Sequence, residues 1–294
     1  MLYDLTLAIR YQYETPASAA RTVLRMRPLD NMRQRVLSGV VTCEPVPASR
    51  SEEVDFFGNA LTAVMFSQPL DEVTFRFEGR VECMARDVVM DLSPPLGLLG
   101  QEVASEIGLG ALSPHHFMGA SARVVPGGEI AAFGHEVTNV AQTALEAVDA
   151  VSRALHDWFD FDATATDVTT DPVEAFVKRR GVCQDISHVM IGALRAVGVP
   201  AGYVSGFLRT EPPKGQPRLE GADAMHAWVR AWCGVDVGWV EIDPTNDMRA
   251  GLDHVAVAYG RDYADVAPVK GSLRSAGAHV TEHAVDMVPV LETA

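Results

Sequence analysis

The stretch GVCQDISHVMIGA, residues 181–193, constrains this chain more than any other. After Cys183 the apolar residues Ile186, Val189, Met190, Ala193, Leu194 and Val197 recur at three- and four-residue steps, the spacing of one buried helical face. Gly198 and Pro200 stop that helix, because glycine accepts a left-handed cap and proline cannot continue the ladder. The helix therefore starts at or just after Cys183 and runs into the core. At its mouth the first N–H groups lack intrahelical partners and favour an anionic sulfur. A lone cysteine is more often a small core residue. A place at an open, electropositive helix end argues for a nucleophile instead. Asp185, in the first turn, suits the cap.

A nucleophilic cysteine needs a base. Residues 225–233 alternate as a strand, with His226, Trp228, Arg230 and Trp232 on one side and Met225, Ala227, Val229 and Ala231 on the other. Residues 234–238 make a short turn, and 239–243 read as a second strand paired with the first in a hairpin. Asp243 precedes Pro244, which keeps it extended at the strand end. Neighbouring strands can set His226 beside Asp243. Cys183, His226 and Asp243 then supply nucleophile, base and orienter in chain order. Among the other histidines, His188 lies half a turn out of phase with Cys183, and His156 sits in a helix. Asp223 is the rival orienter, on the approach to the histidine strand.

The pieces GVCQD, DAMHAWV and GWVEIDPTN together resemble the transglutaminase-like core of bacterial proteins, related in fold to papain-type cysteine peptidases. Residues 254–271, HVAVAYGRDYADVAPVKG, are similar to the segment that follows the core in one bacterial branch, and the first eighty or so residues resemble that branch's β-rich N-terminal domain. Gln184 departs from the pattern, since many relatives carry Arg there; its place beside the nucleophile bears on substrate choice. The resemblance implies an α+β fold: a papain-like/transglutaminase core, with the Cys helix packed on an antiparallel sheet, preceded by a β-sandwich-like N-terminal domain. It also implies acyl transfer on amide bonds through a thioester, leaning to hydrolysis of peptide or isopeptide bonds. The same triad serves a transglutaminase using an amine acceptor, and a binding module could retain the fold without chemistry. The substrate expected is a peptide or protein.

With 294 residues, 48% of them apolar and 21% charged, the chain has ordinary globular composition and room for two domains. The expected division is a β-rich region over 1–85, a connecting region over 86–136, and the catalytic core with a C-terminal extension over 137–294. A net charge of −15 is unsuited to a nucleic-acid backbone. No apolar run approaches the roughly 20 residues needed to span a membrane. The first residues alternate as a strand rather than as a basic-then-apolar signal, so a cytoplasmic protein is expected. Cys43, Cys83, Cys183 and Cys233 show no CxxC spacing, and no His, Asp or Glu cluster at ligand spacing is evident. Neither a metal nor a cofactor is expected, and the cysteines should be free thiols.

Along the chain, strands are expected at 2–13, 36–44, 60–66 and 73–83. Pro and Gly break up 86–136 around one short helix near 101–107, and the adjacent His115 and His116 read as a solvated loop. The longest helical pattern covers 137–159. A short helix at 171–179, with Asp171 as N-cap and Pro172 in its first position, aims the turn that carries Cys183. Strands follow at 201–210 and 253–259, and the polar loop 211–219 is expected to rim the cleft. Arg261, Asp262 and Tyr263 read as structural, and an alternating run near 276–291 as a sheet-closing strand.

Overall fold

A computed structural model describes residues 1–85, 90–210 and 223–290; the loop 211–219 lies outside the described residues. The elements in chain order are β1 (Leu2–Leu24), β2 (Gln34–Glu44), β3 (Ser49–Val54), β4 (Ala60–Met65), β5 (Leu70–Cys83), α1 (Leu96–Ser105), α2 (Gly128–Val137), α3 (Ala144–Trp158), β6 (Asp160–Phe161) and α4 (Pro172–Lys178). There follow β7 (Arg180–Gly181), α5 (Cys183–Ala196), β8 (Ala201–Leu208), β9 (Ala224–Trp232), β10 (Trp239–Asp243), β11 (Met248–Arg249), β12 (His254–Gly260), α6 (Tyr263–Val266), β13 (Val269–Arg274) and β14 (His279–Pro289).

β1 organises the first sheet. Its first half pairs with β5 and β14, its second half with β4 and β13, and the register shifts between Gln12 and Ala17. A strand that changes partners at such a break folds one seven-stranded sheet into two facing layers. Between them alternate residues meet: Leu5, Leu7 and Ile9 of β1, Phe75 and Phe77 of β5, Val64 of β4 and Met287 of β14. The sheet is thus built from stretches far apart in sequence, since β13 and β14 return to β1.

The second sheet has the order β11-β10-β9-β8-β12, antiparallel throughout. Helix α5 lies on it, with α2, α3 and α4 against the helix's other sides. Because it is enclosed this way, α5 is buried all round from Gln184 to Arg195 rather than along one stripe. The opposite face of β8 and β12 supplies Phe207, Val255 and Val257 to the core of the first sheet, so the two sheets share an apolar seam.

The helix expected over 137–159 is shorter, Ala144–Trp158, and the residues between Val137 and Ala144 are not helical. α2 ends at Val137 and α3 begins at Ala144. Thr143 Oγ1 accepts from Glu146 N at 3.1 Å and Glu146 Oε2 accepts from Thr143 N at 2.9 Å. This reciprocal cap fixes the start of α3 more firmly than periodicity extends it. Val140, within that range, is exposed. The short helix expected near 101–107 lies earlier, at Leu96–Ser105. Trp232, expected to side with His226, packs with Ala227, Val229 and Ala231 in the core beneath α5. His115 and His116 lie on a 3-10 turn, their rings bonded to the carbonyls of Glu106 and Leu109.

Candidate active site

Local structure aims Cys183. Asp171 caps α4 by accepting from Val173 N at 2.8 Å, and Arg179 turns the chain with a left-handed φ of 54°. Arg180 and Gly181 then pair with β6 and deliver Cys183 to the first turn of α5. The Asp185 carboxylate reaches back to accept from Val182 N at 2.9 Å and from Thr166 Oγ1 at 2.6 Å. Gly181 makes room for it, since a Cβ there would stand 2.6 Å from Asp185 Oδ2. Burial pushes the Asp185 carboxyl pKa up, against the two hydrogen bonds that lower it. Gln184 is buried, and its side chain donates to Val168 O at 3.3 Å rather than lying free beside the sulfur.

His226 enters from β9. Its Nε2 lies 2.7 Å from Asp243 Oδ2, and the Cys183 sulfur is near enough to help raise its pKa. The imidazole is stacked on Trp228, with ring centroids 6.1 Å apart. Gly206 faces His226 across β8. A Cβ on Gly206 would come within 2.5 Å of the Trp228 ring and 2.2 Å of Val255 O, so only glycine lets the indole lie across β8. Burial pushes the His226 pKa down, but Asp243 and the Cys183 sulfur together outweigh it and hold it up at about 10.

Asp243 is fully buried. Its Oδ1 accepts from Thr245 N at 3.0 Å and Asn246 N at 3.3 Å; its Oδ2 accepts from Asn246 Nδ2 at 2.7 Å as well as from His226. A second imidazole, His254 at the start of β12, places Nε2 3.2 Å from the same oxygen. Burial raises the Asp243 pKa; the donors, His226 first among them, overcome this and hold the carboxyl well below the usual range.

The structure thus brings Cys183, His226 and Asp243 into one chain of contacts. The rival Asp223 is elsewhere: its oxygens accept from Thr210 and from Met287 N. His188 is engaged elsewhere: its Nε2 accepts from Tyr263 N at 3.1 Å, and burial drops its pKa to about 3. Cys233 is buried, and desolvation raises its thiol to about 12. All four cysteines are unpaired. Asp262 caps α6 through Ala264 N and accepts from Arg123 N, and Arg261 pairs with Asp265. Asn246 and His254 were not singled out from the sequence. Asp-Pro-Thr-Asn is a legible side-chain turn signal. His254 headed a noted segment, but its partner could be seen only in three dimensions. His226, Asp243 and His254 also bring three ligand-type atoms within 4.8 Å of one another, but as hydrogen-bond partners they already satisfy one another.

Among the described residues no helix is long and apolar enough to cross a membrane. Residues 131–244 match the family model of the transglutaminase-like superfamily, and residues 3–82 that of the bacterial transglutaminase-like N-terminal region. An uncharacterized protein of Mycobacterium leprae is 33% identical over 271 residues, covering 91% of each chain. A protein-glutamine gamma-glutamyltransferase of Pseudomonas aeruginosa is 31% identical over 127 residues, 40% of this chain and 19% of that protein. The crystal structure of a candidate cysteine protease from Cytophaga hutchinsonii superposes with a TM-score of 0.74 at 18% identity, covering 100% of this chain and 92% of that one, so the α+β fold is shared. By its core, its N-terminal region and its full-length relatives, the chain belongs to the transglutaminase-like superfamily, in the bacterial branch with this N-terminal region.

Proposed function

We propose that the chain is a cysteine-dependent acyl-transfer enzyme that hydrolyses peptide or isopeptide bonds through a thioester. The observation that carries this reading is His226, held between the Cys183 sulfur and the buried Asp243 carboxylate. In the first half-reaction the sulfur adds to the amide carbonyl. The backbone N–H of Cys183 at the helix mouth is one donor to the resulting oxyanion. As the C–N bond breaks, His226 gives its proton to the leaving amine, and the acyl group stays on sulfur. In the second, neutral His226 takes a proton from water, the hydroxide adds to the thioester, and the C–S bond breaks to leave a carboxylic acid. Asp243 stabilises the imidazolium and fixes its ring. The substrate class is a peptide or protein, met in the cytoplasm.

The similarity to the Pseudomonas aeruginosa gamma-glutamyltransferase favours one further reading, in which a primary amine replaces water. One experiment separates the two. The protein is incubated with a mixed peptide library, acid-quenched, and Cys183 is searched for an acyl adduct by mass spectrometry. The trapped thioester is then released into water with and without a primary amine. Release as acid in both supports hydrolysis, and capture as the amide supports transamidation. No adduct on Cys183 from any peptide or protein pool would sink both.

A further inference from the structure

Asp243 Oδ2 is gripped by two imidazoles, His226 at 2.7 Å and His254 at 3.2 Å. We infer that His254 is a positioning residue, a neutral donor that holds the Asp243 carboxylate in line with His226. The inference rests on the reading of Cys183 and His226 as the reacting pair, and it adds a residue that the triad does not contain.

The tautomer follows from geometry. Gly251 N donates to His254 Nδ1 at 3.2 Å. A backbone N–H has no other role, so Nδ1 must present its lone pair. A neutral ring then carries its hydrogen on Nε2, which faces Asp243 Oδ2 at 3.2 Å. An imidazolium would set a second N–H against the Gly251 N–H. His254 therefore gives Asp243 a directed hydrogen bond without adding a positive charge that competes with His226. Because its Nε2 lone pair is committed to that hydrogen, the three-residue cluster makes a poor metal cup.

Position explains why this donor differs from the others. Thr245 and Asn246 follow Asp243 in the same turn, so their bonds fix the carboxylate only relative to β10. His254 opens β12, and the sheet order places β9 and β8 between β10 and β12. The segment Ala250–Asp253 crosses that end of the sheet, tied by Ala250 N to Glu241 O at 3.1 Å and closed by His254 N to Gly251 O at 3.2 Å. The His254 ring stands edge-on to Trp228 at 5.2 Å, and Trp228 in turn stacks on His226. His254 thus links the orienting carboxylate to the far edge strand and braces the indole behind the base. A shift of about 1 Å in such a constellation costs up to roughly 100-fold in rate.

Two measurements test this, neither needing the natural substrate. The first reads the ring nitrogens of His254 by 15N NMR in the intact protein. The expected result is a ring protonated on Nε2 with Nδ1 unprotonated; a ring protonated on Nδ1 overturns the inference. The second is the rate of Cys183 alkylation by iodoacetamide at pH 7, read by peptide mass spectrometry. His254→Phe keeps a ring against Trp228 and removes the donor, and alkylation should slow about tenfold, the lower end of what loss of an orienting partner costs. His254→Gln returns an N–H near the Nε2 position and should recover most of that loss, which a purely structural role would not produce. A wild-type rate in His254→Phe, with His226→Ala slowed, overturns the role of His254 and leaves the thiol–imidazole pair standing. A wild-type rate in His226→Ala overturns the pair itself, and this inference with it. Should His254→Phe fail to fold, the tautomer measured in the wild type still decides.

Discussion

The two sheets of this protein handle charge in opposite ways. The first keeps it outside. Between its layers lie Leu, Ile, Val and Phe, while pairs such as Arg80 with Asp4 and Arg10 with Glu72 sit on exposed faces. The second sheet takes charged and polar groups inside: His226, Arg230, Asp243 and His254 are all buried on or beside it. Arg230 lies over the rings of Trp239 at 4.0 Å and Tyr259 at 4.4 Å, with Glu241 opposite it in the β9–β10 register. An exposed ion pair exchanges one solvated state for another and changes little. A buried one must satisfy every polar atom, and removing one partner leaves the other stranded. The first sheet is built for stability through area, the second to hold a few polar groups at fixed distances. The difference locates function before any chemistry is invoked.

That contrast can be broken by substitution. The largest effect is expected from Asp243→Asn. The amide places its NH2 or its carbonyl against donors that all expect an anion, and His226 can adopt the wrong tautomer. Turnover of whichever amide acylates Cys183 should fall by about 10^4, and alkylation of Cys183 should slow in parallel. Wild-type turnover would remove Asp243 from the mechanism. Next in size is Gly206→Val, whose side chain must displace Trp228 and meet Val255 O. Overpacking of this kind costs about 1–3 kcal/mol. A thermal melt should show it, with Cys183 alkylation lost alongside; a stable variant that also reacts normally would mean Trp228 does not support His226.

Two buried histidines sharpen the comparison through pH. The folded pKa of His226 lies at about 10, above its unfolded value of 6.5. Folding then favours the protonated form, so this contribution is complete below pH 6.5 and is lost as pH rises toward 10. His188 is the reverse: its folded pKa is about 3, below 6.5, so its contribution is complete above pH 6.5 and is lost as pH falls toward 3. Urea midpoints measured from pH 4 to 9 for wild type, His226→Ala and His188→Ala should show the deficit of the first variant shrinking on the alkaline side and that of the second shrinking on the acid side. Parallel curves would mean that neither ring titrates as its surroundings dictate. The smallest effect belongs to the first sheet. Arg80→Ala should melt with the wild type, because its partner Asp4 stays solvated. A clear loss of stability there would erase the distinction between the sheets.

Periodicity and punctuation made much of the second region legible. The apolar steps after Cys183, the alternation around His226 and the Asp-Pro at 243–244 each encode local geometry, and local geometry sufficed to bring three residues together. Two kinds of feature were hidden. One was a local signal overridden by another: the apolar pattern from Val137 to Trp158 runs straight through the Thr143–Glu146 cap, which breaks it. The other was purely long-range. That His254 meets Asp243, or that β14 pairs with β1 from Tyr3 to Tyr13, depends on how strands are ordered in a sheet, and strand order leaves no mark in any window of sequence.

The pairing of β14 with β1 has a consequence for how the protein is made. As the chain leaves the ribosome, β1 can pair with β4 and β5 early, but the partner for its other edge, residues 279–289, emerges some two hundred residues after β5. Through most of synthesis β1 therefore carries an open edge, the kind of surface on which strands of different chains join. The same late strand also ties to the entry of the histidine strand, since Met287 N donates to Asp223 at 2.7 Å, directly ahead of β9. A nascent chain truncated before β14 should thus carry an open β1 edge and leave Asp223, at the entry to the histidine strand, without its Met287 donor.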